Sequence, residues 1–154
     1  MYWQRYGKGY MEKRAFDASR FLVAQEPVYA SVVDELGRGR KTSHWMWFIF
    51  PQLAALGRSS TARRYGLDGV EDAHAFHKHA VLGARLRHCS ALLLAVPDRS
   101  AYEILGSPDD LKLRSCMTLF KAALPLEPVY GEVLQRFYDG APDELTLELL
   151  RASK

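Results

Sequence analysis

Ala80-Val81-Leu82-Gly83-Ala84-Arg85-Leu86-Arg87-His88-Cys89-Ser90-Ala91-Leu92-Leu93-Leu94-Ala95-Val96-Pro97 is the stretch that decides the fold class. Val81, Leu82, Leu86, Cys89, Leu92, Leu93 and Val96 recur in steps of three and four, which gathers them on one side of an α-helix. Arg85 and Arg87 fall on its polar margin. Pro97 lacks the amide needed to extend the ladder and ends it.

The same rhythm runs outward in both directions. Ser107-Pro108-Asp109-Asp110 reads as a helix start, with a serine cap, proline in the first position and two acids in the first turn. Leu113, Cys116, Met117, Phe120 and Leu124 then follow at packing intervals. Pro128 opens a further helix, and Pro142–Asp143 a last one bearing Leu145, Leu149 and Leu150. Upstream, the spacing predicts a helix over Glu12–Gln25 and another beginning near Pro27, with Gly37 as its stop. Shorter helical pieces are expected between Ser43 and His77. No internal repeat, long linker or low-complexity segment interrupts the pattern. The expectation is an all-α fold, a compact multihelical single domain of about seven to nine helices, several of them short. Its expected extent is residues 12–150, with tails at 1–11 and 151–154.

A chain of 154 residues can bury a sufficient core without metal or disulfide staples. Cys89 and Cys116 sit in apolar helical patterns and read as reduced core thiols, which makes a cytoplasmic location the expectation. No apolar run reaches the length of a membrane span, and Met1–Tyr10 lacks the continuous hydrophobic segment of a secretory signal. The net charge of +3 has one compact cluster, Arg38, Arg40 and Lys41, suited to an anion. Without a zinc finger, basic zipper or strand-borne aromatic pattern beside it, that cluster is a poor argument for nucleic-acid binding.

The segment Lys41–Gln52 concentrates the residues with chemistry to offer. It holds Trp45 and Trp47, with His44 before them and Gln52 after the proline stop. Indoles are a costly way to fill a core because each N–H needs a partner. Trp45 and Trp47 are expected to form an aromatic wall for a planar or apolar ligand portion, with Gln52 selecting polar edges. A core-forming segment with hydrogen-bonded tryptophans is the alternative. His44 is a candidate proton-transfer residue, since imidazole titrates near neutral pH. Asp109, Lys112 and Ser115 share a polar face of their predicted helix; Lys112 could orient an anionic group and stabilise its charge, and exposed first-turn amides could add to the site. His74, His77 and His79 lack the spacing of a metal motif and read as a solvated helix end, so no metal is expected and no cofactor is indicated.

These residues also carry a resemblance. Phe21–Gln25, the Gly39–Gln52 segment, Leu82–Leu86, Gly106–Leu113 and Ser115–Phe120 resemble the DUF1810 family, uncharacterised all-helical bacterial proteins, over roughly Ala15–Leu150. The resemblance implies a multihelical fold and assigns neither reaction nor ligand. From the residues themselves, the leading expectation is a domain binding a small anionic or planar ligand in an aromatic–polar pocket built from Trp45, Trp47, Gln52, Asp109, Lys112 and Ser115. The alternatives are an enzyme using His44 and Lys112, and a protein-interaction module presenting Trp45 and Trp47 to a protein partner.

Overall fold

The structure, a computed structural model, describes residues 15–153. Among these the chain forms α1 (Ser19–Gln25), α2 (Tyr29–Gly37), α3 (Met46–Ile49), a 3-10 turn at Ala54–Leu56, α4 (Ser60–Arg64) and α5 (Val70–Lys78). It continues through α6 (Ala80–Ala95), α7 (Ala101–Leu105), α8 (Asp109–Ala123), α9 (Pro128–Tyr138) and α10 (Glu144–Ala152). One isolated parallel bridge, Leu53 to Leu67, is the β-type pairing among the described residues. The fold is one compact, nearly all-helical domain. No helix among the described residues is long and apolar enough to cross a membrane.

The two long helices, α6 and α8, are joined by α5 and α9, each of which packs on both. α2 covers α6, while α7 and α10 cover α8. A continuous aromatic row ties the layers together. Phe21 of α1 meets Phe76 of α5 edge-on with ring centroids 5.1 Å apart, Phe76 meets Phe120 of α8 at 5.7 Å, and Phe120 meets Tyr130 of α9 at 5.4 Å. Such pairs add to the apolar burial because ring edges and faces carry opposite partial charge. Cys89 and Cys116 are unbonded and buried in this core; burial pushes the Cys89 thiol up to about 12 and Cys116 well above the ordinary range. Neither supplies thiolate near neutral pH.

Several boundaries differ from the sequence expectation. The first helix begins at Ser19, because Asp17 Oδ1 takes both the Ser19 amide (3.0 Å) and hydroxyl (2.6 Å) in a local turn. Residues 12–14 of that expected helix and the 1–11 tail lie outside the described residues. Gly37 is still helical, and the left-handed turn falls on Gly39 at φ 72°. α10 continues to Ala152, past the expected boundary at Leu150. Ser107 does not cap α8: Pro108 occupies the cap position, the Asp110 amide donates to the Gly106 carbonyl (2.9 Å), and the Leu111 and Lys112 amides donate to the Pro108 carbonyl at 3.0 Å each. The histidine-rich end of α5 is not uniformly solvated. His77 is largely buried, with Nδ1 2.7 Å from the Tyr130 hydroxyl, and His79 Nδ1 caps α6 by accepting from the Val81 and Leu82 amides.

Candidate functional site

The loop from α2 into α3 is organised by one buried carboxylate. Glu35 follows Val32 by three residues on the inner face of α2, and its side chain turns toward the loop. Its Oε1 accepts from the Thr42 amide (2.8 Å), the Ser43 amide (3.0 Å) and Trp45 Nε1 (2.9 Å), and its Oε2 from the Ser43 hydroxyl (2.6 Å). Burial alone would raise the carboxyl's pKa; the Ser43 hydroxyl, the two amides and the indole outweigh it and hold it at about 2. Trp45 is therefore a core residue, fully buried with its N–H satisfied, and it does not form the exposed aromatic wall the sequence suggests. Met46, Phe48, Ile49 and Phe50 are buried with it. Trp47 stays half-buried on the other side of the turn.

Lys41 crosses from this loop to the start of α8. Its backbone amide donates to the Ile104 carbonyl (2.7 Å), and its ammonium lies 2.8 Å from Asp109 Oδ2 and 5.0 Å from the centre of the Trp45 ring. Only 8% of the Lys41 side chain is exposed, so the ion pair sits largely outside solvent screening. Lys112 approaches the other oxygen, with Nζ 3.9 Å from Asp109 Oδ1 and 5.5 Å from the centre of the Trp47 ring. The closer lysine neutralises Asp109, and Lys112 keeps a charge of its own.

Lys112 also lines an open cleft of about 500 Å³. One wall is the exposed side of α8, where Leu111, Lys112, Arg114 and Ser115 stand behind Pro108. The facing wall is the segment from Gln52 through Leu56, Arg58 and Ser59 to Ala62, with Asp143 at one end. The fold holds that end in place: the Asp143 amide donates to Thr118 Oγ1 (2.8 Å), and the Asp143 carboxylate caps α10 by accepting from the Thr146 amide (3.0 Å) and hydroxyl (2.5 Å). Arg114 is steered by its Nε bond to the Ala141 carbonyl (2.9 Å). Arg58 makes no hydrogen bond or ion pair with any described residue.

The structure thus brings Trp47, Asp109 and Lys112 together, and places Gln52, Lys112 and Ser115 on one cleft. Ser115 spends its proton on the Leu111 carbonyl (3.2 Å), leaving acceptor capacity toward the opening. His44 is exposed and is not part of the cleft wall. The first-turn amides of α8 are not a free anion site, because Asp110, Leu111 and Lys112 already donate to Gly106 or Pro108 carbonyls. Sequence reasoning missed Arg58 and Arg114. Arg114 was within reach, three residues after Leu111 on the face that also holds Ser115. Arg58 lies in a loop where no periodicity operates.

No protein of curated function matches the chain. A crystal structure of the conserved hypothetical protein Rv1873 from Mycobacterium tuberculosis is similar, with 50% sequence identity and a TM-score of 0.87 over 88% of this chain and 97% of that one. Residues 15–150 match the family described as "Protein of unknown function (DUF1810)". With nearly the whole helical domain inside that match, the chain belongs to the DUF1810 family.

Proposed function

We propose that this protein binds a small molecule in the cleft between the Gln52–Ala62 segment and α8, taking a ligand that joins an anionic group to an apolar or planar body. The observation that carries this reading is the mixed wall of the cleft. Arg58, Lys112 and Arg114 supply positive charge, while Leu56, Pro108 and Leu111 supply apolar surface, within a volume typical of ligand sites. Leu111 is 57% exposed, a desolvation gain left available to a bound molecule. Asp143 offsets one of the three cations, and its capping of α10 through Thr146 fixes where that negative charge sits. Trp47 stands beside Lys112 and reports on it. A cytoplasmic metabolite suits the two reduced, buried thiols.

Calorimetric titration with a panel of aryl carboxylates and aryl phosphates tests the reading, with tryptophan emission as a second readout. Saturable binding should weaken about tenfold in both Lys112→Met and Leu111→Ser, the loss of one charge-assisted contact or one apolar contact respectively. Absence of saturable binding, or binding indifferent to both substitutions, overturns it.

A further inference from the structure

We infer that the anionic group received by this cleft is a phosphate monoester in its dianionic form, a conclusion that rests on the proposed ligand-binding reading and names its ligand class. The charge arrangement argues for two negative charges. Asp109 is neutralised by Lys41 at 2.8 Å, so the longer 3.9 Å approach of Lys112 leaves that ammonium uncompensated at the cleft. Arg58 is a second cation on the same cleft and has no counter-ion among the described residues. Arg114 is a third cation on the cleft, with its Nε on the Ala141 carbonyl, and Asp143 is the one carboxylate that lines it. Two cations are left over, and a carboxylate would answer only one of them.

The donor set agrees with the charge. A phosphoryl group offers three acceptor oxygens, and a guanidinium fork with an ammonium is a common way to hold them. Ser59 Oγ accepts from the Ala62 amide at 3.0 Å, which leaves its own proton free to donate into the cleft. Gln52 adds an amide. Ser115 has no proton to give and presents lone pairs, so it repels the phosphoryl oxygens and favours an N–H or O–H on the ligand body. The apolar surface of Leu111 and Pro108 fits the ester side of such a molecule better than free inorganic phosphate.

Three probes with one ring separate charge from shape: phenyl phosphate, its monoanionic methyl ester methyl phenyl phosphate, and benzoate. Titrations at about pH 8 keep phenyl phosphate dianionic, since the second phosphate ionisation lies at about 6. Phenyl phosphate should bind about tenfold tighter than either monoanion, one additional charge-assisted contact. Arg58→Gln, at an exposed loop position, should bring the three affinities to within about twofold while circular dichroism stays unchanged. Equal binding of all three probes to the unaltered protein overturns the dianion and leaves the cleft reading standing. Preference for phenyl phosphate that survives Arg58→Gln overturns the assignment of Arg58. Binding by none of the probes overturns the inference and the cleft reading together.

Discussion

Lys41 and Asp109 are 68 positions apart in sequence, yet Nζ and Oδ2 meet at 2.8 Å, joining the tryptophan-bearing loop to the first turn of α8. The pair is mostly withdrawn from water, with side-chain exposures of 8% and 19%. Removing one partner of such a pair leaves a charge with poor solvation, whereas removing both does not. Asp109→Asn strands the Lys41 ammonium and should cost about 3 kcal/mol. Lys41→Met should cost less, because Lys112 can close on Asp109. The Lys41→Met/Asp109→Asn double variant should recover most of the loss. Urea unfolding midpoints at constant slope read all three. Additive losses in the double variant would deny the coupling.

Glu35 gives the protein an acid sensitivity with a defined window. Its folded-state pKa of about 2 lies below the ordinary 4.5, so the unfolded chain takes up the proton first as pH falls. Its contribution to stability is complete above 4.5 and disappears as pH drops toward 2. Glu35→Gln should destabilise the protein at neutral pH by about 2 kcal/mol, since an amide accepts less strongly and brings two donors into an acceptor's place. The gap between wild type and variant should narrow across that acid window, measured by urea unfolding at successive pH values. A gap that stays constant would show the carboxylate is not what the loop depends on.

The helical architecture was legible in the sequence because α6, α8 and α9 are long enough for a three-and-four rhythm to be unambiguous. Signals at their ends helped unevenly. Pro128 takes the first position of α9 as expected, while at α8 the Asp110 amide that Ser107 was expected to cap donates to the Gly106 carbonyl (2.9 Å). Trp45 was harder, because its burial depends on an acceptor ten residues upstream. The clue was Glu35 itself, a carboxylate between Val32 and Leu36 on an apolar helix face. Within the cleft, the α8 wall follows from helical spacing, as with Leu111, Lys112 and Ser115. The Gln52–Ala62 wall does not, because tertiary contacts such as the Leu67 amide bond to the Gln52 carbonyl (2.9 Å) hold it there.

His77 should make stability fall on mild acidification. Burial lowers its pKa below 6.5; the Arg87 guanidinium, 3.5 Å from Nε2, and His74 push the same way, and Glu127 at 3.7 Å opposes them. Tyr130 holds Nδ1 at 2.7 Å. With the folded pKa below the unfolded one, protons favour the unfolded chain, so stability is full above 6.5 and declines as pH falls through the folded value. His77→Asn should flatten the pH dependence of the urea midpoint over about pH 5–8. An unchanged slope in that variant would assign the dependence to other groups.

Two glycine-to-alanine substitutions in helices should have opposite signs. Alanine ordinarily favours a helix interior over glycine by about 1 kcal/mol. Gly131 in α9 follows that rule: a Cβ there would meet Lys121 Cε at 3.5 Å, an ordinary contact with a flexible side chain. Gly131→Ala should therefore stabilise by about 0.5 kcal/mol. Gly83 in α6 cannot follow it, because its Cβ would lie 1.9 Å from the His77 carbonyl oxygen and 2.8 Å from the carbonyl carbon. Both are backbone atoms just ahead of the His79 corner, where α5 turns into α6, and no rotamer change relieves the clash. Gly83→Ala should destabilise by about 3 kcal/mol as α5 and α6 are forced apart. Paired urea melts of the two variants would place their midpoints on either side of wild type, and a Gly83→Ala midpoint at or above wild type would refute the close approach of the two helices.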